Sequence, residues 1–203
     1  MPKIRLTKNE LKKQKETLKR LNRYLPTLEL KKTQLVNEIR TVQRKIETLL
    51  AEIETHRQTV LKWVDVMAED IDLQGFIRIA EIMTESTNIA GIDIRLFSAI
   101  RFEDSGYDLY QTPLWVDAGL AAVKEQITLR TRITLLQEQI DILQNELRIT
   151  IQRINLFEKV KIPEARENIR VIQIYLGDVQ TAEVVRGKIA KSKIQKKKEL
   201  AGA

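Results

Sequence analysis

Residues 18–63 read LKRLNRYLPTLELKKTQLVNEIRTVQRKIETLLAEIETHRQTVLKW, and the apolar residues of this stretch recur in alternating steps of three and four. Apolar residues at the first and fourth positions of a seven-residue repeat form the contact seam of a coiled coil. The repeat continues on both sides of the stretch, so it predicts one long helix that packs against another helix. The seam residues are Leu11, Gln14, Leu18, Leu21, Leu25, Leu28, Lys32, Leu35, Ile39, Val42, Ile46, Leu49, Ile53, His56, Val60, Trp63 and Met67.

Three members of this seam are polar or ionisable. Lys32 and Gln14 are expected to set the register of the helix pair at some cost in stability. His56 is expected to be a satisfied histidine at the seam, opposite Arg130.

A second apolar stripe occupies the C-terminal half of the chain. The step of four from Leu147 to Ile151 predicts a stutter, which changes the supercoil locally. The stripe resumes after Pro163, and its helix is expected to begin near Pro113 and to run to about Gln195. The stripe residues are Leu129, Ile133, Leu136, Ile140, Leu143, Leu147, Ile151, Ala165, Ile169, Ile172, Leu176 and Val179.

Residues 73–112, between the two stripes, have a different pattern. Glycines interrupt them, and TESTNIAG at 84–91 is rich in turn-forming residues. Apolar Ile92, Ile94 and Leu96 alternate with polar residues, which predicts a short strand or a hairpin.

The predicted fold class is all-α. We expect a long antiparallel two-helix coiled-coil hairpin with a small irregular or short β-hairpin head at the turn. The predicted segments are an N-terminal coiled-coil helix (1–72), an acidic connector or head (73–112), and a C-terminal coiled-coil helix with a basic tail (113–203). This arrangement brings both chain ends to the same end of the hairpin.

Pro26 and Pro163 both interrupt helical patterns. A proline inside a helix removes one hydrogen bond and clashes with the preceding turn, which costs about 3 kcal/mol. If the hairpin folds about residue 93, residue i faces 186 − i, and Pro163 lies within a turn of Pro26. The two prolines then bend both helices together. The alternative is that each proline separates two shorter helices.

Charge is unevenly distributed along the chain, whose formal net charge is +7. Residues 1–32 hold eleven Lys and Arg against three acidic residues, and residues 186–198 hold seven Lys and Arg and no acidic residue. Residues 65–108 hold ten acidic residues against three Arg. The basic ends suggest an acidic partner or a nucleic acid at that end of the hairpin.

Few residues are available for catalysis or metal binding. The chain has no cysteine, and His56 is its one histidine. RGKIAKSK at 186–193 lacks the earlier glycine and the Ser or Thr after Lys of a phosphate-binding loop. No secretory signal opens the chain, and no apolar run approaches the ~18 residues of a membrane span. We therefore predict no catalytic, cofactor-binding or metal site, in a soluble intracellular protein that acts through shape and contacts.

Both ends of the sequence resemble the D subunit, the central rotor shaft of V-type and archaeal A-type rotary ATPases, and most closely a bacterial branch of that family. The resemblance lies in KIRLTKNELKKQKETLKRLNRYLPTLELKKTQL at 3–35 and in RINLFEKVKIPEARENIRVIQIYLGDVQTAEVVRGKIAKSKI at 153–194. The matching elements are Leu6 to Asn9, Leu30 to Lys32, Arg153 to Glu158, Ile162 with Pro163, and Ile169, Arg170 and Ile172.

The resemblance implies a non-catalytic subunit without a cofactor, which couples ATP hydrolysis or synthesis to ion transport by rotation. Its paired terminal helices would insert into the catalytic hexamer of A and B subunits, where ATP binds. Its other end would contact the F subunit and the socket subunit that seats the shaft on the membrane ring. The protein would be cytoplasmic and peripheral to the membrane, without inserting into it and without binding nucleic acid.

The resemblance also suggests roles for particular residues. Pro26 and Pro163 would be the shaft bend. Basic residues near both ends would contact the hexamer, since unlike charges attract within about 8 Å at physiological salt; the alternative is a solvated tail. The candidate hexamer contacts are Lys3, Arg5, Lys8, Lys12, Lys13, Arg153, Arg170, Lys188, Lys191, Lys193, Lys196, Lys197 and Lys198.

Two other classes of protein fit part of the pattern. A basic coiled coil could bind nucleic acid through its terminal lysines, which would neutralise phosphates. The lysines have no interleaved aromatic residues and no recognised binding motif, which argues against this class. A helical scaffold unconnected with an ATPase is the second alternative.

Overall fold

The computed structural model describes residues 4–63, 65, 73–103, 106 and 112–201, with the backbone alone at 73, 74 and 197–201. The confirmed fold class is mostly helical, with long helices and a small antiparallel β-hairpin in the middle of the chain. The elements in chain order are helix α1 (Lys8–Leu61), a 3-10 turn (Leu73–Phe76), strands β1 (Ile79–Ile89) and β2 (Ile92–Phe102), helix α2 (Val116–Leu156), a π-helical turn (Phe157–Lys161) and helix α3 (Ile162–Ala201).

The chain divides into two compact units. One consists of Lys31–Thr150, and the other combines Met1–Leu30 with Ile151–Ala203. The three segments predicted from the sequence follow chain order instead, and their boundaries stay predictions.

Helix α1 begins at a side-chain cap. The Thr7 hydroxyl accepts a hydrogen bond from the backbone N–H of Glu10 (3.2 Å) and so satisfies one of the first donors of the helix. Thr7 and Glu10 have the spacing of a capping box, and the Glu10 carboxylate also lies near the helix N-terminus, where negative charge is favourable. The Leu-Thr-Lys-Asn segment noted in the sequence therefore starts the helix.

The heptad of α1 is confirmed by burial. Every seam residue from Leu11 to Trp63 is buried or half-buried, except Lys32. The prediction that Lys32 sets the register is wrong, because Lys32 is exposed and its neighbour Lys31 contacts the partner helix instead. Lys31 is half-buried, and its Nζ lies 2.7 Å from Oε1 of Glu146 on α2. The long lysine side chain reaches the partner helix from beside the seam without placing its charge inside it.

Within Lys31–Thr150, α1 and α2 run antiparallel. Their core consists of Leu35, Ile39, Val42 and Leu143. One register marker is the Lys31–Glu146 pair, and the other is His56, whose Nε2 lies 3.1 Å from the Glu125 carboxylate. The residue numbers of these two pairs add to 177 and 181.

The predicted sum was 186, so placing His56 opposite Arg130 is wrong by five residues. The numbers of Leu61, where α1 ends, and Val116, where α2 begins, also add to 177. The strand pair Ile89 and Ile92, next to the hairpin turn, adds to 181, so the connector and the helices fold over at nearly the same level.

The hairpin turns at Ala90 and Gly91, whose φ angles are 53° and 79°. Positive φ at both central residues is the condition for the tight turn that matches strand twist. The Asn88 side chain stabilises it by accepting from the Gly91 N–H (3.0 Å). Of the turn-rich stretch TESTNIAG at 84–91, only the end forms the turn, and TESTN at 84–88 belongs to β1. Pairing with β2 outweighs the turn preferences of these polar residues.

Strand β2 holds the hairpin against α2. Arg95 forms an ion pair with Glu138 (3.0 Å), and the Gln139 amide donates to the Arg95 carbonyl. The Arg132 guanidinium lies 4.9 Å from the centre of the Phe97 ring, a cation–π contact. The predicted head therefore lies alongside α2.

Thr150 of α2 is 1% exposed, and its hydroxyl has no hydrogen-bond partner among the described residues. The hydroxyls of Thr128, Thr131 and Thr134 on the same helix each donate to a backbone carbonyl four residues back. A buried hydroxyl without a partner costs about 1–3 kcal/mol.

We expect Thr150→Val, which keeps the side-chain shape, to raise the free energy of unfolding by about 1–3 kcal/mol in urea titrations. Thr134→Val is the matched control, because Thr134 is exposed and its hydroxyl is bonded; its effect should stay within about 0.5 kcal/mol. A loss of stability in Thr150→Val would contradict the view that the buried Thr150 hydroxyl has no hydrogen-bond partner.

Candidate partner-binding surface

The apolar seam runs without interruption from α2 towards the π-helical turn. Buried or half-buried residues follow Leu147 in steps of three, four and three, at Thr150, Ile154 and Phe157. Ile151 is exposed, so the predicted stutter at this residue is wrong. The interruption comes later, because the next buried residue is Ile162, five positions beyond Phe157.

The π-helical turn accounts for this step of five. The backbone N–H of Ile162 donates to the carbonyl of Phe157, five residues back rather than four. A π turn inserts one extra residue into a helix, and it shifts the following side chains around the axis. After it the seam resumes at Ile162, Ala165, Ile169, Ile172, Leu176 and Val179.

Pro163 is the second residue of α3 and lies two positions beyond the end of the π turn. Proline lacks an N–H and clashes with the carbonyl four residues back. The π turn changes the hydrogen bonding at this point and widens the helix, so proline enters with little loss. Pro26 has a different setting, inside the uninterrupted helix α1, and the alternative that it separates two shorter helices is wrong.

The predicted level of the two prolines rested on the sum of 186. The two pairs that give lower sums lie in Lys31–Thr150, whereas both prolines belong to the other unit. A bend at each proline and the same level for both prolines therefore stay predictions.

The C-terminal part of α3 is exposed on all sides. Val179 is the last half-buried residue, and every described side chain from Gln180 to Lys196 is exposed. Apolar residues remain on this segment, which we call the α3 tail, and they are between 49% and 59% exposed. These residues are Val184, Val185, Ile189 and Ile194.

A further apolar face of α3 precedes the tail. Val171, Ile174 and Tyr175 are exposed, although the neighbouring seam residues Ile172 and Leu176 are buried or half-buried. Continued at helical spacing, the exposed face reaches Val185 and Ile189. The sequence predicts contacts at the lysines of this region but not at its apolar residues. The spacing of four between Val185 and Ile189 was the available signal.

The structure describes ten of the thirteen candidate contact residues with their side chains, and all ten are exposed. Lys3 lies outside the described residues, and so do the side chains of Lys197 and Lys198. Lys8 and Lys12 line a shallow groove at the start of α1 together with Leu11, Lys15 and Lys19. On α3, Lys191 lies beside Ala190 and Ile194 in a second depression. Both basic segments therefore combine lysines with apolar atoms.

Arg153 and Arg170 are exposed near the π turn, and Arg170 has a partner on its own helix. Its guanidinium donates twice to the Glu167 carboxylate, at 2.9 Å and 2.7 Å. This hydrogen bonding lowers the pKa of Glu167 and raises the pKa of Arg170. A contact between Arg170 and another protein therefore has to replace or share the Glu167 carboxylate.

Two other types of feature are absent from the described part of the chain. No group of three or more His, Asp and Glu side chains there could hold a metal ion. No helix in the same residues has a stretch long and apolar enough to cross a membrane.

Comparison with known proteins identifies the family. Residues 10–192 match the family of the ATP synthase D subunit. The chain belongs to this family. It is 47% identical over 197 residues to the V-type ATP synthase D subunit of Borreliella burgdorferi, with 97% of this chain and 98% of that protein covered. It is 33% identical to the proteins of the same name from Chlamydia abortus and Chlamydia muridarum, over 199 residues and 97% of this chain, with 96% and 98% of those proteins covered.

Membership of the D-subunit family confirms the resemblance to a bacterial rotary ATPase component. It favours an ATPase subunit over the two alternatives, a nucleic-acid-binding coiled coil and an unconnected scaffold. The roles of the candidate contact residues do not follow from it and stay predictions.

We expect Pro26→Ala to raise the free energy of unfolding by about 1–3 kcal/mol, because it restores a hydrogen bond inside α1. Pro163→Ala should change it by less than about 1 kcal/mol, because the π turn already accommodates the proline. Urea titrations followed by far-UV circular dichroism measure both. Gln43→Ala, at an exposed α1 position, is the control and should stay within about 0.5 kcal/mol. Equal gains at the two prolines would contradict this role of the π turn.

Proposed function

We propose that this chain is the central rotor shaft of a V-type or A-type rotary ATPase. Its basic end inserts into the catalytic hexamer of A and B subunits and turns there. This rotation couples ATP hydrolysis or synthesis to ion transport across the membrane. The proposal goes beyond family membership, which supports a rotary ATPase subunit and leaves its part in rotation open.

The observation that carries the proposal is the exposed α3 tail. Seventeen consecutive described residues, Gln180 to Lys196, bury nothing within the chain, yet they include two valines and two isoleucines that are about half exposed. Apolar area in contact with water is unfavourable by about 25 cal/mol per Å². A surrounding protein surface would cover it, and the bore of the hexamer is a surface of this kind.

The lysines of the tail suit a bore that carries negative charge. Lys188, Lys191 and Lys193 are exposed, and no carboxylate of the described residues pairs with them. Their attraction to the bore acts within about 8 Å at physiological salt, so it steers insertion without fixing one rotational position. Contacts of this shallow kind let a shaft turn.

Length and asymmetry suit the same role. Helix α1 has 54 residues, or about 80 Å at 1.5 Å per residue, far more than a small domain needs for its own core. A straight rod of circular section would press equally on the three catalytic sites. We therefore propose that Pro26 and Pro163 bend the shaft and make it asymmetric.

The remaining parts of the proposal concern partners and place. The shaft itself neither binds ATP as a cofactor nor catalyses its hydrolysis. Away from the basic end it contacts the F subunit and the socket subunit on the membrane ring. The complex holds it on the cytoplasmic side, peripheral to the membrane.

Deletion of residues 180–203 tests the carrying observation. The isolated chain should keep its free energy of unfolding within about 1 kcal/mol, because the described side chains removed bury nothing in it. In the reconstituted enzyme, ATP-driven ion transport should fall at least tenfold. Unchanged coupling, or ATP hydrolysis by the isolated chain, would reject the proposed function.

Point variants separate the two properties of the tail. The double variant Val185→Ser with Ile189→Ser removes apolar area from the tail. The lysine variant removes charge, and it combines Lys188→Gln, Lys191→Gln, Lys193→Gln and Lys196→Gln. We expect both to weaken coupling, and we expect the effect of the lysine variant alone to shrink as salt rises. The control neutralises four exposed residues away from the tail, by Arg40→Gln, Arg44→Gln, Lys62→Gln and Arg148→Gln. An equal loss of coupling in this control would contradict the proposal that the lysines of the α3 tail contact the hexamer.

A further inference from the structure

Within the part of the chain that the structure describes, one edge of strand β1 is not paired. The described sheet has two antiparallel strands, β1 and β2, and β2 in turn contacts α2 through Arg95 and Phe97. Among the described residues, no backbone group pairs with the outer edge of β1. An exposed edge presents a row of N–H and C=O groups that can bind a further strand.

The hairpin turn shows which groups point outwards. A two-residue turn with two positive φ angles closes on a hydrogen-bonded pair, here Ile89 with Ile92. In an antiparallel pair, inward and outward groups alternate along each strand. The N–H groups of Asn88, Ser86 and Thr84 therefore point away from β2, while those of the residues between them point towards it.

This edge has little protection against strand addition. Eleven residues make β1 long for a strand, and the register is regular from Thr84 to Ile89. Proteins commonly protect edges with charged side chains, especially lysine, or with proline or bulges. The strand IAEIMTESTNI has neither lysine nor proline, and Ile82 is 43% exposed. Its register is irregular at Ala80 and between Met83 and Thr84, so the regular part that can accept a strand runs from Thr84 to Ile89.

The charges of β1 limit which strand can bind. Its charged residues are Glu81 and Glu85, both exposed, and neither forms an ion pair within the described residues. A second copy of β1 would bring four carboxylates together along one edge, and like charges on adjacent strands are destabilising. A strand with Lys or Arg beside the two glutamates would be stabilised.

We infer that the outer edge of β1 binds an extended, Lys- or Arg-bearing strand of another subunit, which joins the hairpin as its third strand. Main-chain hydrogen bonds provide the affinity in this mode of recognition, and flanking side chains provide the specificity. The source of the strand, another subunit of the same ATPase, rests on the proposed function.

Residue-resolved amide hydrogen exchange tests the inference directly. The full-length chain is compared alone and in the complex reconstituted from the soluble subunits of the same enzyme. In the complex, exchange at Thr84, Ser86 and Asn88 should slow at least tenfold, while Glu85 and Thr87, already bonded to β2, should change little. Unchanged exchange at the three outward amides would overturn the inference, as would equal slowing at all five, which indicates stabilisation of the hairpin as a whole.

A proline variant tests the main-chain contact. Proline is tolerated on an edge strand where its missing N–H points outwards, so Ser86→Pro should keep the far-UV circular dichroism and weaken assembly at least tenfold. Ser86→Ala keeps the N–H and should assemble normally. Glu81→Lys with Glu85→Lys should weaken assembly in a salt-dependent manner, independently of the proline result. Normal assembly of both the proline and the double-lysine variants would overturn the inference.

Failure of this inference is distinguishable from failure of the proposed function. A complex that couples ATP hydrolysis to ion transport but leaves the β1 amides unprotected overturns the inference alone. Protected amides in a complex whose turnover does not depend on the α3 tail overturn the shaft proposal alone. A wild-type chain that assembles with none of the other ATPase components overturns both.

Discussion

The packing of Leu35, Ile39 and Val42 of α1 against Leu143 of α2 is the interaction on which the other features of the structure depend. Isolated helices gain little stability in water, and an apolar stripe is stable only when a partner covers it. In Lys31–Thr150 each helix covers the stripe of the other, and the hairpin adds Ile92 to the same cluster. Polar contacts mark the register: Lys31 reaches Glu146 from beside the seam, and His56, a member of the seam, contacts Glu125.

The seam also explains the irregular turn before Pro163. A seam that repeats every seven residues cannot pass a proline without a local change, because the proline removes a hydrogen bond and takes up space in the preceding turn. Here one extra residue is inserted between Phe157 and Ile162, and the seam resumes beyond it. The proline and the extra residue of the π turn lie close together in the sequence, so the helix continues beyond them to Ala201.

Residues outside the seam carry the proposed function. The described side chains of α3 from Gln180 to Lys196 are all exposed, and the outer edge of β1 binds no described strand. A protein that folds through one narrow stripe leaves most of its surface for partners. Its lysine-rich tail and its glutamate-bearing strand differ in charge, and these differences suit different partners.

The heptad by itself determined the long helix α1 and the burial of nearly every one of its seam residues, because the period of an apolar pattern reports helix geometry directly. The connector between the two apolar stripes indicated that their helices pair antiparallel. The family was also visible in the sequence, since its motifs keep their order at both ends. Tertiary structure alone decided that Lys31 rather than Lys32 pairs with α2, that His56 faces Glu125, and that the extra residue lies at the π turn rather than at Ile151. It also decided that TESTN at 84–88 forms part of β1. Each of these features depends on the register between two elements that are distant in sequence. A repeating apolar pattern fits several registers almost equally well, and only the packing of side chains from both elements selects one of them.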